Sequence, residues 1–512
     1  EEIIEPRELA VDPVAQRLYQ TDTPMSRVLI FDLPKSERAV KLGARAMMSY
    51  GTTDPWNGRL DKSSLDARKA WLANVKPAVG SISPGASIVL TQTKQFRHPL
   101  SERRSRMLVS ETTIAAPVAA QTTTFFVDGS SGNEHVLTVA NGNAKAVEAS
   151  ISWQVGSAKP SEVKRTIAPG GRLEVPLSEL FGAAVSNAEG VLRVNGAKGQ
   201  PVAAVLLRQT KTSRNETLVM GIAPVAAFDS SEGAVIAGLR GGGGYGTELV
   251  LMNTGAKKIE GDLSVLQALE NGELVRWSGA TLPLAYSLEA GQVLHLKLTS
   301  SSPVAEEAYA VVKSRTGTAL PWAAAIVSQK KDDLLLSQTM TAARPHTQLA
   351  WFAVDTLPNL IRHGQTPSKM VFSVANSNRL PALVRFTLFD LEGKEVGRYE
   401  QIMGPNNERQ WTLADLFNVQ QVRGSVRLYS DVAVAVSARR ITSSLRGELV
   451  ESEQGYTDVN SLKGSAPVLL PVIWDGEGMA SEIVLVNPTP SPISGQMLFS
   501  NPDGAPSQIV LR

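Results

Sequence analysis

Apolar and polar residues alternate in short runs along this chain, and five of the runs end on Asn or Asp. They are SRVLIFD at Asp32, HVLTVAN at Asn141, TELVLMN at Asn253, MVFSVAN at Asn376 and SEIVLVN at Asn487. The spacings are 109, 112, 123 and 111 residues. Such a period is the size of one small domain and predicts an array of similar modules. Four residues before each landmark stand Val28, Leu137, Leu249, Phe372 and Ile483; two before stand Ile30, Val139, Leu251, Val374 and Leu485. The position between varies freely: Leu29, Thr138, Val250, Ser373, Val484. One constrained face with a period of two predicts a strand lying on a core. Leu251, Val374 and Leu485 are therefore expected to be buried equivalents, and Thr138 and Ser373 to tolerate change.

A second alternating run follows each landmark: Val147, Ala149, Ile151 and Trp153; Ile259, Gly261, Leu263 and Val265; Ala382, Val384, Phe386 and Leu388; Ile493, Gly495, Met497 and Phe499. In the first copy it slips by two, to Val40, Leu42, Ala44 and Ala46. The short polar connections NGNAK, NTGAKK and NPTPSP predict antiparallel hairpins. Later in the module PLSELF (176–181) and TLADLF (412–417) are near copies. Strands VAAVLLRQTK (202–211), WAAAIVSQKK (322–331) and VAVSARRITS (434–443) follow, and ASIVLTQTK (86–94) closes the first module in the same way. About seven short strands per period, with turn residues every 8–12, predict β-sandwiches. The fold class read here is all-β, a tandem array of immunoglobulin-like β-sandwich modules in about four and a half repeats. The expected modules are 1–110, 111–228, 229–345 and 346–465, with a partial fifth at 466–512.

Composition agrees with this reading. The 512 residues are 43% hydrophobic but only 5% aromatic, so the cores draw on Val, Leu, Ile and Ala. Lys and Arg number 51 against 49 Asp and Glu, a balance that gives no reason to expect a nucleic-acid partner. No apolar window of 18 residues predicts a membrane-spanning helix. Cysteine is absent, which excludes disulfides, thiolate metal sites and a cysteine nucleophile. The chain opens on EEIIEPRE without Met, which reads as a processed or truncated start and favours secretion.

The segment MASEIVLVNPTPSPISGQMLFSNPDGAP (479–506), with weaker copies at 245–272 and 367–393, resembles a β-sandwich repeat of secreted bacterial proteins that carries Asn-Pro turns and PGG…PLSELF segments. The resemblance implies spacers, stalks or interaction surfaces. It implies an extracellular, cell-surface location.

No reaction motif emerges. His98, His135, His295, His346 and His363 never take ligand-pair spacing, and no cofactor or metal site is expected. Residues 54–66 miss the calcium-loop spacing; a capped helix over 63–75 fits better. LRGGGGYG (239–246) precedes a strand rather than a helix, so it reads as a flexible linker into the third module, not a phosphate loop. RHPLSERRSR (97–106) reads as a hairpin or edge strand whose Arg residues block unwanted pairing, with Arg439 and Arg440 at the equivalent place. Trp153, Trp322, Trp351, Trp411 and Trp474 form no stripe and are expected in cores or wedges between modules.

The leading expectation is a non-catalytic extracellular protein that builds or decorates a surface fibre, sheath or layer by head-to-tail self-association. A surface adhesin or glycan-binding protein, with a surface polysaccharide as partner, is the alternative. The non-catalytic arm of a secreted enzyme is the third. The half-module at 466–512 would expose a strand edge, so either the native chain continues beyond residue 512 or a neighbour's N-terminal segment adds to that edge. The residues expected to carry that contact are Glu1, Ile3, Ile4, Leu9, Val11, Ile483, Leu485, Ile509 and Leu511.

Overall fold

The computed structural model describes residues 6–12, 17–22, 27–32, 85–97, 104–129, 132–225, 233–268, 274–276, 284–315, 319–356, 365–419, 422–458, 468–474, 478–489, 493 and 496–507. It is all-β, 64% strand and 4% helix, built as tandem β-sandwich modules from antiparallel sheets. The expected helix at 63–75 and the slipped repeat at 40–46 lie outside the described residues.

Two compact units form, residues 1–62 with 270–272 and residues 63–269 with 273–512. The smaller contains a meander of β1 (Pro6–Asp12), β2 (Arg17–Asp22) and β3 (Arg27–Asp32). The larger opens with a long hairpin of β4 (Gly85–Arg97) and β5 (Arg104–Ala115). Three complete sandwiches follow.

The first sandwich contains β6 (Thr122–Asp128), β7 (Glu134–Ala140), β8 (Val147–Gln154), β9 (Ser161–Ile167), β10 (Arg172–Pro176), helices α1 (Leu177–Phe181) and α2 (Ala183–Ser186), β11 (Glu189–Asn195), β12 (Ala203–Lys211) and β13 (Thr217–Ile222). One sheet runs β10-β7-β12-β13 and the other β6-β11-β8-β9. Numbered within the module, the orders are 5-2-7-8 and 1-6-3-4. Neighbours 2–5 and 3–6 are those of an immunoglobulin sandwich. Strand 1 lies beside strand 6 and strand 7 beside strand 2.

The same order recurs twice. The second sandwich has β14 (Ala234–Gly241), β15 (Tyr245–Met252), β16 (Ile259–Ala268), a fourth strand broken into β17 (Leu274–Arg276) and β18 (Leu284–Leu288), β19 (Val293–Thr299), β20 (Glu306–Ser314), β21 (Trp322–Lys331) and β22 (Leu334–Ala342). The third has β23 (Thr347–Asp355), β24 (Gln365–Asn376), β25 (Ala382–Phe389), β26 (Glu395–Met403), β27 (Asn407–Thr412), α3 (Leu413–Phe417), β28 (Arg423–Ser444), β29 (Leu449–Gln454) and the short β30 (Tyr456–Asp458). Here β28 serves as strands 6 and 7, pairing first with β23 and β25 and then with β24. The PLSELF and TLADLF copies form α1 and α3, which bury Leu177 with Leu180 and Leu413 with Leu416. Thr412 and Asp415 close α3 with a reciprocal capping box.

The landmark asparagines have a definite task. Asn141, Asn253 and Asn376 are buried, and each side chain pins the turn after its strand to the backbone of a later turn. The Asn141 amide donates to the carbonyls of Lys145, Ile167 and Ala168 while its oxygen accepts from Asn143 N. Asn253 bonds Lys257, Leu288 and Gly255 in the same way. Asn376 repeats it with Leu380, Gly404 and Asn378. A side chain with two donors and an acceptor, short enough to stay beside its own turn, satisfies both functions at once.

The fourth module is assembled from distant parts of the sequence. The last landmark strand, β31 (Met479–Val486), pairs with β4, which pairs with β5. The sequence pattern put residues 86–94 with their own preceding landmark strand; instead β3 pairs with β2. In the complete sandwiches the residue four before the landmark pairs with strand 7 as Leu137↔Leu206, Leu249↔Ala325 and Phe372↔Ala438. In the fourth, Ile483↔Ile88 takes the same place. The ladder is that of a normal module, closed by segments nearly four hundred residues apart.

The landmark sheet of each complete sandwich is buried on both faces. Its inner face meets its own partner sheet. Its outer face meets the module before it. Trp322 of the second sandwich stacks on Phe126 of the first with ring centroids 5.7 Å apart, within a cluster that also holds Val250 and Met252. Ala375 and Ala435 of the third pack on Val235, Ala237 and Tyr309 of the second. Val486 of β31 packs on Leu349, Trp351 and Tyr429 of the third. Val205, Leu207 and Val219 of the first pack on Ile88, Leu90 and Val472. The four modules thus pack in a closed cycle. This overturns one expectation: Thr138 and Ser373, expected to be tolerant, are 0% and 1% exposed.

The glycine run is an ordered turn rather than a flexible linker. Gly242, Gly243 and Gly244 have φ of 70°, 56° and 87°, and Tyr245 N donates to Gly242 O at 2.8 Å. The run joins strands 1 and 2 inside the second sandwich, and only glycine enters that backbone region without strain.

Candidate functional site: the ring closure and the hairpin mouth

The eighth strands meet in a cycle, β5 against β13, β13 against β22, β22 against β29 and β29 against β5. Each is the edge of its sheet, with backbone groups that no ladder satisfies. Serines supply the missing partners. Ser110 Oγ of β5 donates to Val219 O at 3.2 Å and accepts from Val219 N at 2.8 Å. Ser337 Oγ of β22 does the same for Glu451, at 3.3 Å and 3.0 Å. Thr112 Oγ1 accepts from Gly221 N at 3.0 Å. A hydroxyl that bonds both groups of one edge residue satisfies that residue and ends further pairing there.

Buried charges lie around these contacts. Arg240 pairs with Glu451, and the Tyr245 hydroxyl donates to Glu451 at 2.6 Å. Burial, helped by Arg439, lowers the Arg240 guanidinium to about 9. Arg208 reaches Asp128 at 3.3 Å and crosses to Gln338 of the next sandwich at 2.8 Å. Arg439 bonds Glu307 at 3.2 Å and Gln410 at 2.5 Å. Arg440 bonds Ser368 at 3.2 Å and lies 3.8 Å from Glu111. Arg439 and Arg440 are 9% and 3% exposed, so the expected likeness to the 97–106 run fails. By register they match Val89 and Leu90, not residues 97–106. Glu408 accepts from Gly238 N at 2.8 Å, and burial raises its carboxyl well above the usual range.

Beside the cycle the seventh-to-eighth hairpins of the three complete sandwiches frame a mouth. A cleft of about 620 Å³ is lined by Arg214, Lys330, Lys331, Asp332, Arg446 and Glu448 among others. Ion pairs join the hairpins across sandwiches: Arg214 with Glu448 at 2.5 Å, and Arg446 with Glu216. These side chains are partly exposed, so each pair contributes about 1 kcal/mol or less. The mouth offers hydrogen-bonding groups but no paired nucleophile and base. Among the described residues no group of three His, Asp or Glu side chains is placed to hold a metal ion. No helix of the described residues is long and apolar enough to cross a membrane.

Four of the nine residues expected to carry self-association lie among the described residues. Leu9 and Val11 lie in β1, where they pair with Gln20 and Leu18 of β2. Glu1, Ile3, Ile4, Ile509 and Leu511 lie outside the described residues. Ile483 is half-buried at the edge of the cluster around Ile88 and Leu90. Leu485 is 54% exposed, against 0% for Leu251 and Val374. Its expected burial fails: among the described residues after β31, only the isolated bridge Ser500–Pro506 forms, and no sheet faces Leu485. Ser110, Ser337, Arg240 and Glu451 were not visible as functional residues. The one signal was charge within apolar strands, as in VLLRQ and SARR.

No family model matches the chain, and no curated protein matches it. Three solved structures show distant likeness. One is an archaeal virus turret protein with a triple jelly-roll fold, at 13% identity over 77% of this chain and 93% of that one, with a TM-score of 0.14. Another is dimeric latent PorU of Porphyromonas gingivalis, at 10% identity over 76% and 36%, with a TM-score of 0.15. The third is a tetra-tandem repeat from the extending region of a large adhesion protein, at 9% over 74% and 94%, with a TM-score of 0.09.

Proposed function

We propose that this chain is a non-catalytic structural protein of the cell exterior, one that builds or decorates a surface layer, sheath or fibre. The supporting observation is the closed cycle itself. Buried polar residues from all four modules are committed to holding modules together and to satisfying strand edges, as Ser110, Ser337, Arg240 and Glu451 do. A frame of this kind presents its loops at fixed positions, as a building block requires. Electron microscopy of material stripped from cells tests the proposal. Sheets or filaments labelled by an antibody to this chain support it. Label confined to the cytoplasm, or found only on single particles, overturns it.

A second reading has one observation in its favour. The cleft framed by Arg214, Lys331, Arg446 and Glu448 is polar, open and contributed by three modules, which suits a hydroxyl-rich ligand such as a surface polysaccharide. Glycan-array binding that Lys331→Ala with Arg446→Ala abolishes would favour this reading over the first.

A further inference from the structure

Two cations at the mouth are unspent. Arg214 pairs with Glu448, and Arg446 pairs with Glu216 and lies 3.7 Å from Glu448. Lys330 and Lys331 line the same cleft, are exposed, and among the described residues pair with no carboxylate. The sequence explains their position. Asp332 and Asp333 alone connect β21 to β22, with φ of 49° and 61°. Two residues of positive φ make the tight turn that lets both strands run to their ends, so Lys330 and Lys331 stand at the tip. The β4–β5 hairpin adds basic residues at the same end. Lys94 is the Cα partner of Met107 and reaches Glu216 at 3.9 Å, while Arg446 Nε lies 2.8 Å from Met107 Sδ. That rung is therefore level with the ion pairs of the mouth. Three more rungs follow, Gln95↔Arg106, Phe96↔Ser105 and Arg97↔Arg104. At about 3.3 Å per residue they carry the backbone of Arg104 roughly 10 Å past the mouth. A chain whose formal charge is only +2 thus gathers basic residues at one end of the ring.

We propose that this mouth binds an acidic polysaccharide. Lys330 and Lys331 pair with its carboxylate or sulfate groups, and the carboxylates of Glu448 and Asp332 accept from its hydroxyls. The proposal names the ligand class within the second reading above and rests on that reading. Three features favour this class. The cleft mixes both signs of charge, which suits a polymer that carries anions among hydroxyls. It is concave and about 620 Å³, which holds a few sugar units rather than the flat surface of a bilayer. Among the described residues no aromatic ring lines it, and a nucleic acid would need such rings for its bases to stack on. Exposed pairs are individually weak, so binding sums several along the polymer and weakens as salt rises.

Binding of the whole chain to immobilised polygalacturonate, dextran sulfate, neutral dextran and a single-stranded oligonucleotide tests the proposal. Polygalacturonate or dextran sulfate should bind tightest, and which of them does so tells carboxylate from sulfate. Lys330→Ala with Lys331→Ala should weaken that binding about tenfold, and Lys330→Arg with Lys331→Arg should keep it. Lys159→Ala with Lys198→Ala removes the same charge from exposed sites of the first sandwich and should change binding by less than about twofold. No loss from the Lys330 and Lys331 pair, or equal losses from both alanine pairs, would overturn the mouth as the site. Dextran bound as tightly as the acidic polymers would keep the glycan reading and overturn the acidic class. Tightest binding to the oligonucleotide, or binding to none of the four, would overturn the proposal and the glycan reading together.

Discussion

Acidification should loosen the first sandwich through one histidine. His135 is 1% exposed on β7, opposite Arg208 across the ladder. Burial, reinforced by the Arg208 charge and only partly opposed by Asp128, lowers the imidazole to about 3. In the unfolded chain it titrates near 6.5. Between those values the unfolded state binds a proton that the folded state refuses, so stability falls as pH falls. The loss approaches 1.4 kcal/mol per pH unit, and from pH 7 to pH 4.5 it totals about 2.5 kcal/mol. The variant His135→Gln removes that proton. Hydrogen exchange of the 134–140 amides, corrected for intrinsic rates, reads the opening free energy of this strand in both proteins. Wild type should lose about 2.5 kcal/mol more than the variant over the interval. Equal losses would show that His135 takes its proton while the strand is folded, and the reasoning from burial would fail.

Three further outcomes follow from the packing. Leu249→Ala should lower stability by about 2–5 kcal/mol and Leu485→Ala by less than about 1, because only the first leaves a cavity; urea titrations of both separate them. Ser110→Ala and Ser337→Ala should each cost about 1–3 kcal/mol by stranding an edge N–H and carbonyl; calorimetry showing wild-type midpoints for both would mean that water replaces the hydroxyls. Glu408→Gln should stabilise at pH 8 and be neutral at pH 4. The folded carboxyl titrates above its unfolded value, so its contribution is complete below about 4.5 and is lost as pH rises through the folded value. Thermal unfolding at the two pH values checks that sign.

Much of the module was legible from periodicity. The odd-numbered face Leu137/Val139, and its counterparts Leu249/Leu251 and Phe372/Val374, announce a strand on a core, and they are buried. PLSELF and TLADLF announce the short helices. The Asn landmark was visible as a mark but not as a clamp, because its partners, such as Ile167 and Leu288, accept through backbone carbonyls, which have no sequence signature. The second face stayed hidden for a different reason. Thr138, Val250 and Ser373 share a position but not a character, and a surface shared with a neighbouring module can be filled by a small polar, a branched apolar or a hydroxyl residue, provided the neighbour matches. Complementarity of that kind is pairwise, and a pattern read along one strand cannot register it. Arg439 and Arg440 misled for the same reason: charge in an alternating strand reads as exposure unless its partners Glu307 and Glu111, more than a hundred residues away, are known.

Closure also explains why the landmark sheets carry so little polar surface on either side. In a linear array of stacked sandwiches, the outer face of the first landmark sheet has no preceding module, and terminal repeats need a polar face to remain soluble. Val205, Leu207 and Val219 are that face in the first complete sandwich, and they are apolar. They are covered because β4, β5, β31 and the segment through Val472 lie against them. Removing that cover would expose a contiguous aliphatic patch, which is an association hazard. The fourth module therefore covers the face that would otherwise leave the stack prone to association.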